Sequence, residues 1–259
     1  MNLNRYNNKK NIIYFATIIF IILFLFILIA LIIQNKENEF IKKNSIIFFD
    51  YLSESYGYKL KKIEINQLKY IKKNEEKSFF DDYNNHSIFL IPIKNILKEI
   101  QEKKWVKGIK IKSNYKDTLK ITIQEFTPRG VYENADELFV FNNQGQIIDH
   151  IKPNNTLFYN LIIFKGEKSL SNSIAFLDSI PLFLENEIEE AIFINNRRWD
   201  VLLKNDIILK LKEQKIKESF MDYKKIYNNI SNQDLQEIQI IDLRLDNKAI
   251  IKFRNKKND

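Results

Sequence analysis

The sequence predicts an α+β protein: a single N-terminal transmembrane helix, a small strand-helix-helix-strand-strand module, then a β-rich domain with two helices. Three observations carry this. Residues 12–33 hold no charge, and 18 of these 22 positions are Ile, Leu or Phe. Within residues 105–128 apolar and polar side chains alternate through two stretches, Ile109 to Lys112 and Leu119 to Gln124. The same period of two recurs in residues 199–211 and 238–254, and that period belongs to strands with one wet face.

Composition narrows the function classes. At 259 residues and 45% apolar content the chain can bury a core in two modest domains once the apolar run is set aside. It has no cysteine, hence no disulfide framework and no thiolate ligand set. The net charge of +8 comes from 41 basic residues interspersed with 33 acidic ones, without a basic block. That pattern describes a solvated lysine-rich surface and argues against a nucleic-acid partner.

Residues 1–11 form a short polar tail carrying Arg5, Lys9 and Lys10. Residues 12–33 then meet the length of a membrane span, with each Leu, Ile or Phe favouring insertion by about 0.3–0.6 kcal/mol. The run is too long for a signal peptide and ends in Leu31-Ile32-Ile33-Gln34, without a small-residue cleavage site. The basic tail predicts a cytoplasmic N-terminus. Residues 34–57 read as a juxtamembrane helix in which Ile41, Phe48 and Leu52 share a face and Gly57 is the cap. It leads the soluble part away from the bilayer, or lies along the membrane surface with its aromatics.

The module spans residues 58–127. Ile63 and Ile65 alternate with Lys62, Glu64 and Asn66 in a first strand, and Asn74 caps a short helix through Asp82 that holds Phe79 and Phe80. Pro92 opens a second helix with Ile93, Ile96, Leu97 and Ile100 on one face and Lys94, Lys98, Glu99 and Glu102 on the other. Two strands joined by the polar link 113–117 follow, and Thr127-Pro128 closes the second.

Residues 128–254 form the second domain, ahead of a charged tail, 255–259. Strands are predicted at 131–133, 138–141 and 146–148, then an apolar run at 161–166 and a helix at 171–180 stopped by Pro181. Trp199, Val201 and Leu203 share one strand face, and Ile207, Leu209 and Leu211 share the face of the returning strand. A helix follows with Ile216, Phe220, Tyr223, Tyr227 and Ile230 on its apolar stripe, and a hairpin about residues 246–248 ends the chain.

Nothing in this sequence has the spacing of a catalytic or metal site. It lacks a Gly-rich phosphate loop, G-x-S-x-G and HExxH, and its two histidines stand apart, His86 in a loop and His150 beyond a strand end. Neither a cofactor nor a small-molecule substrate is implied, and no enzyme is expected.

The order of elements in residues 58–127, with Trp105-Val106-Lys107 after the second helix and Glu125 to Pro128 at the close, resembles the POTRA module. With an anchor before it and Asp242-Leu243-Arg244 near the end of a second small domain, the chain is similar to the FtsQ/DivIB family of bitopic cell-division proteins. It departs from the family's pattern at Lys104, where proline is usual, at Asp206 for glycine, at Leu245 for tyrosine and at Phe253 for tryptophan.

The resemblance implies a non-catalytic divisome scaffold in the bacterial inner membrane, its soluble domains periplasmic and concentrated at the septum. It further implies that the closing hairpin takes a β-strand from FtsB/FtsL-type partners. The residues assigned to that contact are Arg244, Leu245, Ala249, Ile250, Ile251 and Phe253, with Arg244 facing a partner carboxylate and Ile251 with Phe253 as apolar anchor. Lys110, Lys112, Lys120, Thr122 and Gln124 are assigned as a docking surface of the POTRA-like module. The alternative from another class is a POTRA-bearing translocation component that binds unfolded clients, but such proteins carry several modules before a membrane barrel.

Overall fold

A computed structural model describes residues 15–28, 39–71, 78–153 and 155–254. Residues 15–28 lie in helix α1, exposed throughout and apolar but for Thr17. Among the described residues no helix is long and apolar enough to cross a membrane. Both ends of the predicted span, 12–14 and 29–33, lie outside the described residues, as does Asn74.

The chain divides into two compact units: residues 1–66, 73–97 and 110–122 in the first, and 67–72, 98–109 and 123–259 in the second. In the first unit, helix α2 (Glu39–Tyr56) ends where Gly57 takes φ +73°. Strand β1 (Lys62–Ile65) lies parallel to β3 (Thr118–Glu125), with Ile63 opposite Leu119 and Ile65 opposite Ile121. Strand β2 (Val106–Ser113) completes the sheet in the order β1-β3-β2, and helix α3 (Ile93–Gln101) precedes it. Leu60, Phe80, Ile88, Ile91, Ile96, Leu119 and Ile121 are buried in this unit. The link 113–117 is built by Asn114, whose Oδ1 accepts the backbone N–H of Lys116, Asp117 and Thr118 at 2.9–3.0 Å. One Asn side chain thereby replaces the ladder partners that the turn lacks.

The second unit is organised by a nine-stranded sheet in the order β12-β11-β10-β9-β8-β7-β4-β5-β6. Its strands are β4 (Pro128–Asn134), β5 (Glu137–Asn142), β6 (Ile147–Ile151), β7 (Ile163–Lys165), β8 (Ile188–Ile194), β9 (Arg198–Leu203), β10 (Ile208–Lys210), β11 (Ile238–Asp242) and β12 (Ile250–Phe253). Helices α4 (Ser169–Leu177), α5 (Ile216–Asn229) and α6 (Asn232–Glu237) complete the unit. Phe141, Phe164, Phe176, Trp199, Val201, Leu209, Phe220 and Ile241 form the main core with side chains of α4 and α5. Phe164 meets Phe141, Phe176 and Trp199 edge-on at ring separations of 5.6–5.8 Å, a geometry that adds to the burial of each ring.

Two glycines are required by their surroundings. A Cβ at Gly130 would sit 2.5 Å from the Phe141 ring, and Gly166, at φ +99°, would press one against the Phe193 carbonyl oxygen at 2.5 Å.

Three sequence readings need correction. His150 lies inside β6 rather than beyond a strand end. The strand that starts at Ile188 was missed because the adjacent Glu189 and Glu190 look like a solvated stretch, yet Glu190 is held by Lys165 at 2.7 Å. The short α6 was missed too, although Ser231 caps it by accepting the Asp234 N–H at 3.1 Å.

Candidate functional site

The closing hairpin begins with a buried anchor point. Leu243 is 1% exposed, and its N–H donates to the Lys210 carbonyl at 2.9 Å, which fastens the end of β11 beside β10. The chain then turns through Asn247, at φ +59°, and returns as β12 antiparallel to β11, pairing Asp242 with Ile250 and Ile241 with Ile251. β11 is flanked on its other side by parallel β10, so β12 is the outermost strand of the sheet.

Its outer edge has a definable polarity. The Arg254 N–H donates inward, to the Glu237 carbonyl at 2.7 Å. Because N–H direction alternates along a strand, residues 250 and 252 share that inward sense, whereas the N–H groups of Ile251 and Phe253 point to the open side. Among the described residues no strand pairs with this row, and such a row is a template for another strand.

Arg254 also holds the strand end in place: its Nε donates to the Ile238 carbonyl at 3.2 Å and its Nη2 to the Asn205 carbonyl at 3.1 Å. Beneath the hairpin lies Lys212, 6% exposed, whose Nζ reaches Glu218 at 2.6 Å, Asp222 at 3.0 Å and Asp246 in the turn at 3.5 Å. The hydrogen bond to Glu218, foremost, holds the Lys212 ammonium above the ordinary lysine range. Sequence reading missed Arg254, Lys212 and Asp246, since no local spacing brings a lysine at 212 to an aspartate at 246.

The residues assigned from sequence are distributed unevenly. Ile250, Leu245 and Phe253 are 56%, 51% and 50% exposed, and Ala249 is exposed as well. Ile251 sits opposite Ile241 and packs on the main core, so the exposed apolar surface of β12 consists of Ile250 and Phe253, and the Ile251 side chain is not part of it. Arg244 has an internal carboxylate: Nε lies 2.8 Å and Nη2 2.5 Å from the two oxygens of Asp242. That hydrogen bond is the first cause holding the Asp242 carboxyl below the usual range. Arg244 therefore shapes the entry to the hairpin.

Lys110, Lys112, Lys120, Thr122 and Gln124 are all exposed, alternating with the half-buried Ile109 and Ile111 and the buried Leu119, Ile121 and Ile123. The first four belong to the first unit and Gln124 to the second.

Two motif residues acquire physical roles inside the second unit. The Glu125 carboxylate accepts the backbone N–H groups of Lys69, Tyr70 and Ile71 at 2.7–2.8 Å. Trp105 stacks on Tyr70 with ring centroids 4.4 Å apart, and its indole N–H donates to Asp149 at 3.1 Å. Both residues pack on the cluster of Val131, Val140, Ile148, Ile151 and Phe158. Among the described residues no three His, Cys, Asp or Glu side chains gather as a metal site.

Comparison with known proteins places this geometry in context. The family model described as cell division protein FtsQ/DivIB, C-terminal, matches residues 130–244, and the model described as POTRA domain, FtsQ-type, matches residues 58–126. The cell division protein FtsQ of Rickettsia felis is 23% identical over 245 residues, covering 94% of this chain and 90% of that protein. That of Rickettsia conorii is 25% identical over 166 residues, 63% of this chain but 61% of its relative, so this match spans less than two thirds of the relative's length. Among solved structures, the major extracytoplasmic domain of the cell division protein DivIB from Geobacillus stearothermophilus covers 42% of this chain and 99% of its own, with a TM-score of 0.32 and 11% identity.

Proposed function

Because the chain belongs to the FtsQ/DivIB family of bacterial cell-division proteins, we propose that it is a non-catalytic scaffold of the divisome that recruits FtsB/FtsL-type partners through the open edge of β12. The carrying observation is that β12 ends the nine-stranded sheet with Ile250 and Phe253 half exposed on it. Backbone pairing along such an edge supplies affinity, and the alternate side chains supply specificity. Ile250, Phe253, Leu245 and Ala249 meet the incoming strand, while Arg244, Lys212 and Arg254 hold the hairpin in a receptive shape.

In this reading residues 12–33 span the inner membrane once, with the N-terminus cytoplasmic and the two units periplasmic at the septum. The exposed lysines of β2 and β3 then dock other division proteins. Support comes from the uncharged run of residues 12–33 and from the exposed, apolar side chains of α1 other than Thr17. Depletion in the host bacterium tests the role: filamentous cells with normal outer-membrane protein levels are expected. Loss of barrel proteins without filamentation would reject it in favour of a translocation component.

A further inference from the structure

We propose that the outer side of α2 lies in the headgroup layer of a lipid bilayer. The proposal rests on the reading of residues 12–33 as a span, but it is argued from other residues. Ser53, 4% exposed, marks the inner side of α2: its Oγ donates to Ser87 Oγ at 2.6 Å. Asp50, three residues earlier, accepts the Ser87 N–H at 2.9 Å. At about 100° per residue, Phe48 and Tyr51 fall opposite Ser53 with Asn44 and Ser55, and Ile47 lies at the margin of that side, beside Asp50 and Glu54. Ile47, Phe48 and Tyr51 are 58%, 59% and 67% exposed, and the apolar surface continues around the start of the helix through Ile46 and Phe49, 43% and 48% exposed.

A helix on a water-facing surface normally turns its polar residues outward, and a contiguous exposed apolar patch marks a site of interaction. Here large apolar side chains stand exposed beside Asn44 and Ser55. The two acids of α2 near this patch, Asp50 and Glu54, both pair with Lys59, at 3.8 and 3.2 Å. The Glu54 carboxylate borders Ile47 and Tyr51 with its charge offset by Lys59, and the exposed Lys43 flanks them.

Chain continuity selects the occupant. α1, apolar but for Thr17, has the surface of a helix immersed in lipid, and α2 begins eleven residues after its last described residue. Eleven residues extend no farther than about 40 Å. A bilayer that holds α1 therefore keeps α2 within reach, whereas a second copy or another protein must be brought there. Aromatic rings beside a lysine also match the interfacial layer, where an amphipathic ring finds both an apolar body and a polar rim.

The absence of cysteine from the chain makes the test direct. The full chain carrying a nitroxide at Ile21→Cys, Phe48→Cys, Tyr51→Cys or Lys98→Cys is reconstituted into phosphatidylcholine-phosphatidylglycerol vesicles. Collision rates with oxygen and with a nickel chelate are then read by electron paramagnetic resonance. Expected is a severalfold higher oxygen-to-nickel ratio at Phe48→Cys and Tyr51→Cys than at the exposed Lys98→Cys, and a higher one still at Ile21→Cys. Labels at 48 and 51 as accessible to nickel as at 98, with 21 in lipid, would overturn the proposal and leave the span standing. A water-accessible label at 21 would overturn both. Spin-spin broadening at 48 and 51 that grows with protein density, without lipid contact, would assign the face to a second copy and also overturn it.

Discussion

The indole N–H of Trp105 donates to the Asp149 carboxylate at 3.1 Å, and the Lys104 ammonium reaches the other oxygen of that carboxylate at 2.8 Å. Asp149 is thus the fixed point of a stack in which Tyr70, Trp105 and Phe158 lie nearly parallel. Asp149→Ala leaves the part-buried Trp105 donor unpaired, which costs about 1–2 kcal/mol. Chemical denaturation should show the lower midpoint with an unchanged slope, since the surface exposed on unfolding stays the same.

The same carboxylate predicts a pH dependence. Burial pushes Asp149 upward, but the hydrogen bonds from Lys104 and Trp105 outweigh it and hold the carboxyl below its usual range. Asp242 is lowered in the same sense, first by Arg244. A carboxyl depressed in the folded state binds its proton more readily when unfolded. Its stabilisation is therefore complete above the unfolded value, about 3.9, and lost as pH falls through the lower folded value. Melting temperature should be insensitive to these groups above that value and fall below it. Asp149→Ala should make the acid decline shallower.

Much of the fold was legible because β3, β9 and β10 each have one dry face and β2 a half-buried one, and period-two alternation reports that face directly. Trp199, Val201, Leu203 and Leu209 are all buried as the pattern requires. β8 was illegible at its start for the opposite reason: Glu190 looks solvated until Lys165, from a strand distant in sequence, neutralises it. The candidate edge was legible in its location but not in its details. Alternation places Ile251 and Phe253 on one face, whereas the bulge between Ile238 and Ile240 in β11 interrupts the even register opposite them. The fork from Arg244 to Asp242 is a local pair that sequence permits but does not distinguish from contact with another chain.

Gly130→Ala tests the packing of the main core. The added methyl would fall 2.5 Å from the Phe141 ring and 2.9 Å from the Phe164 ring, and both rings are fully buried. Forcing them apart should cost about 1–3 kcal/mol, read as a lowered thermal midpoint. A variant as stable as the parent would show that these rings can shift freely.

Reversing charge at Lys110, Lys112 and Lys120 together tests the proposed docking face. Each side chain is exposed, so the three changes should leave folding close to the parent, at about 0.5 kcal/mol or less apiece. Recruitment to mid-cell should nonetheless be lost, as followed with a fluorescent fusion. Normal recruitment and division would remove this face from the interaction surface.

The edge of β12 gives the sharpest test because its backbone and its exposed ring can be changed separately, with folding and affinity read by different measurements. Proline at Ile251 removes an N–H that points to the open side, and edge strands tolerate proline where that group is not needed within the sheet. The ladder to β11 should survive, helped by the Arg254 contacts to Ile238 and Asn205, while loss of the Ile251 side chain from the main core lowers the thermal midpoint without abolishing the fold. An added strand, by contrast, loses one backbone donor. Phe253→Ala removes a half-exposed ring that makes little of the core, so folding should again hold; if the ring is an anchor, affinity falls by about 2 kcal/mol, or some 30-fold. Calorimetry of the full chain in nanodiscs with an FtsB-FtsL pair reads the affinity, and circular dichroism checks the fold. Ile250 faces the other way from Ile251 and is 56% exposed, so Ile250→Ala should weaken binding less than Ile251→Pro, which acts on the backbone itself. Ile251→Pro and Phe253→Ala variants that fold and bind as tightly as the parent would show that the strand is added elsewhere.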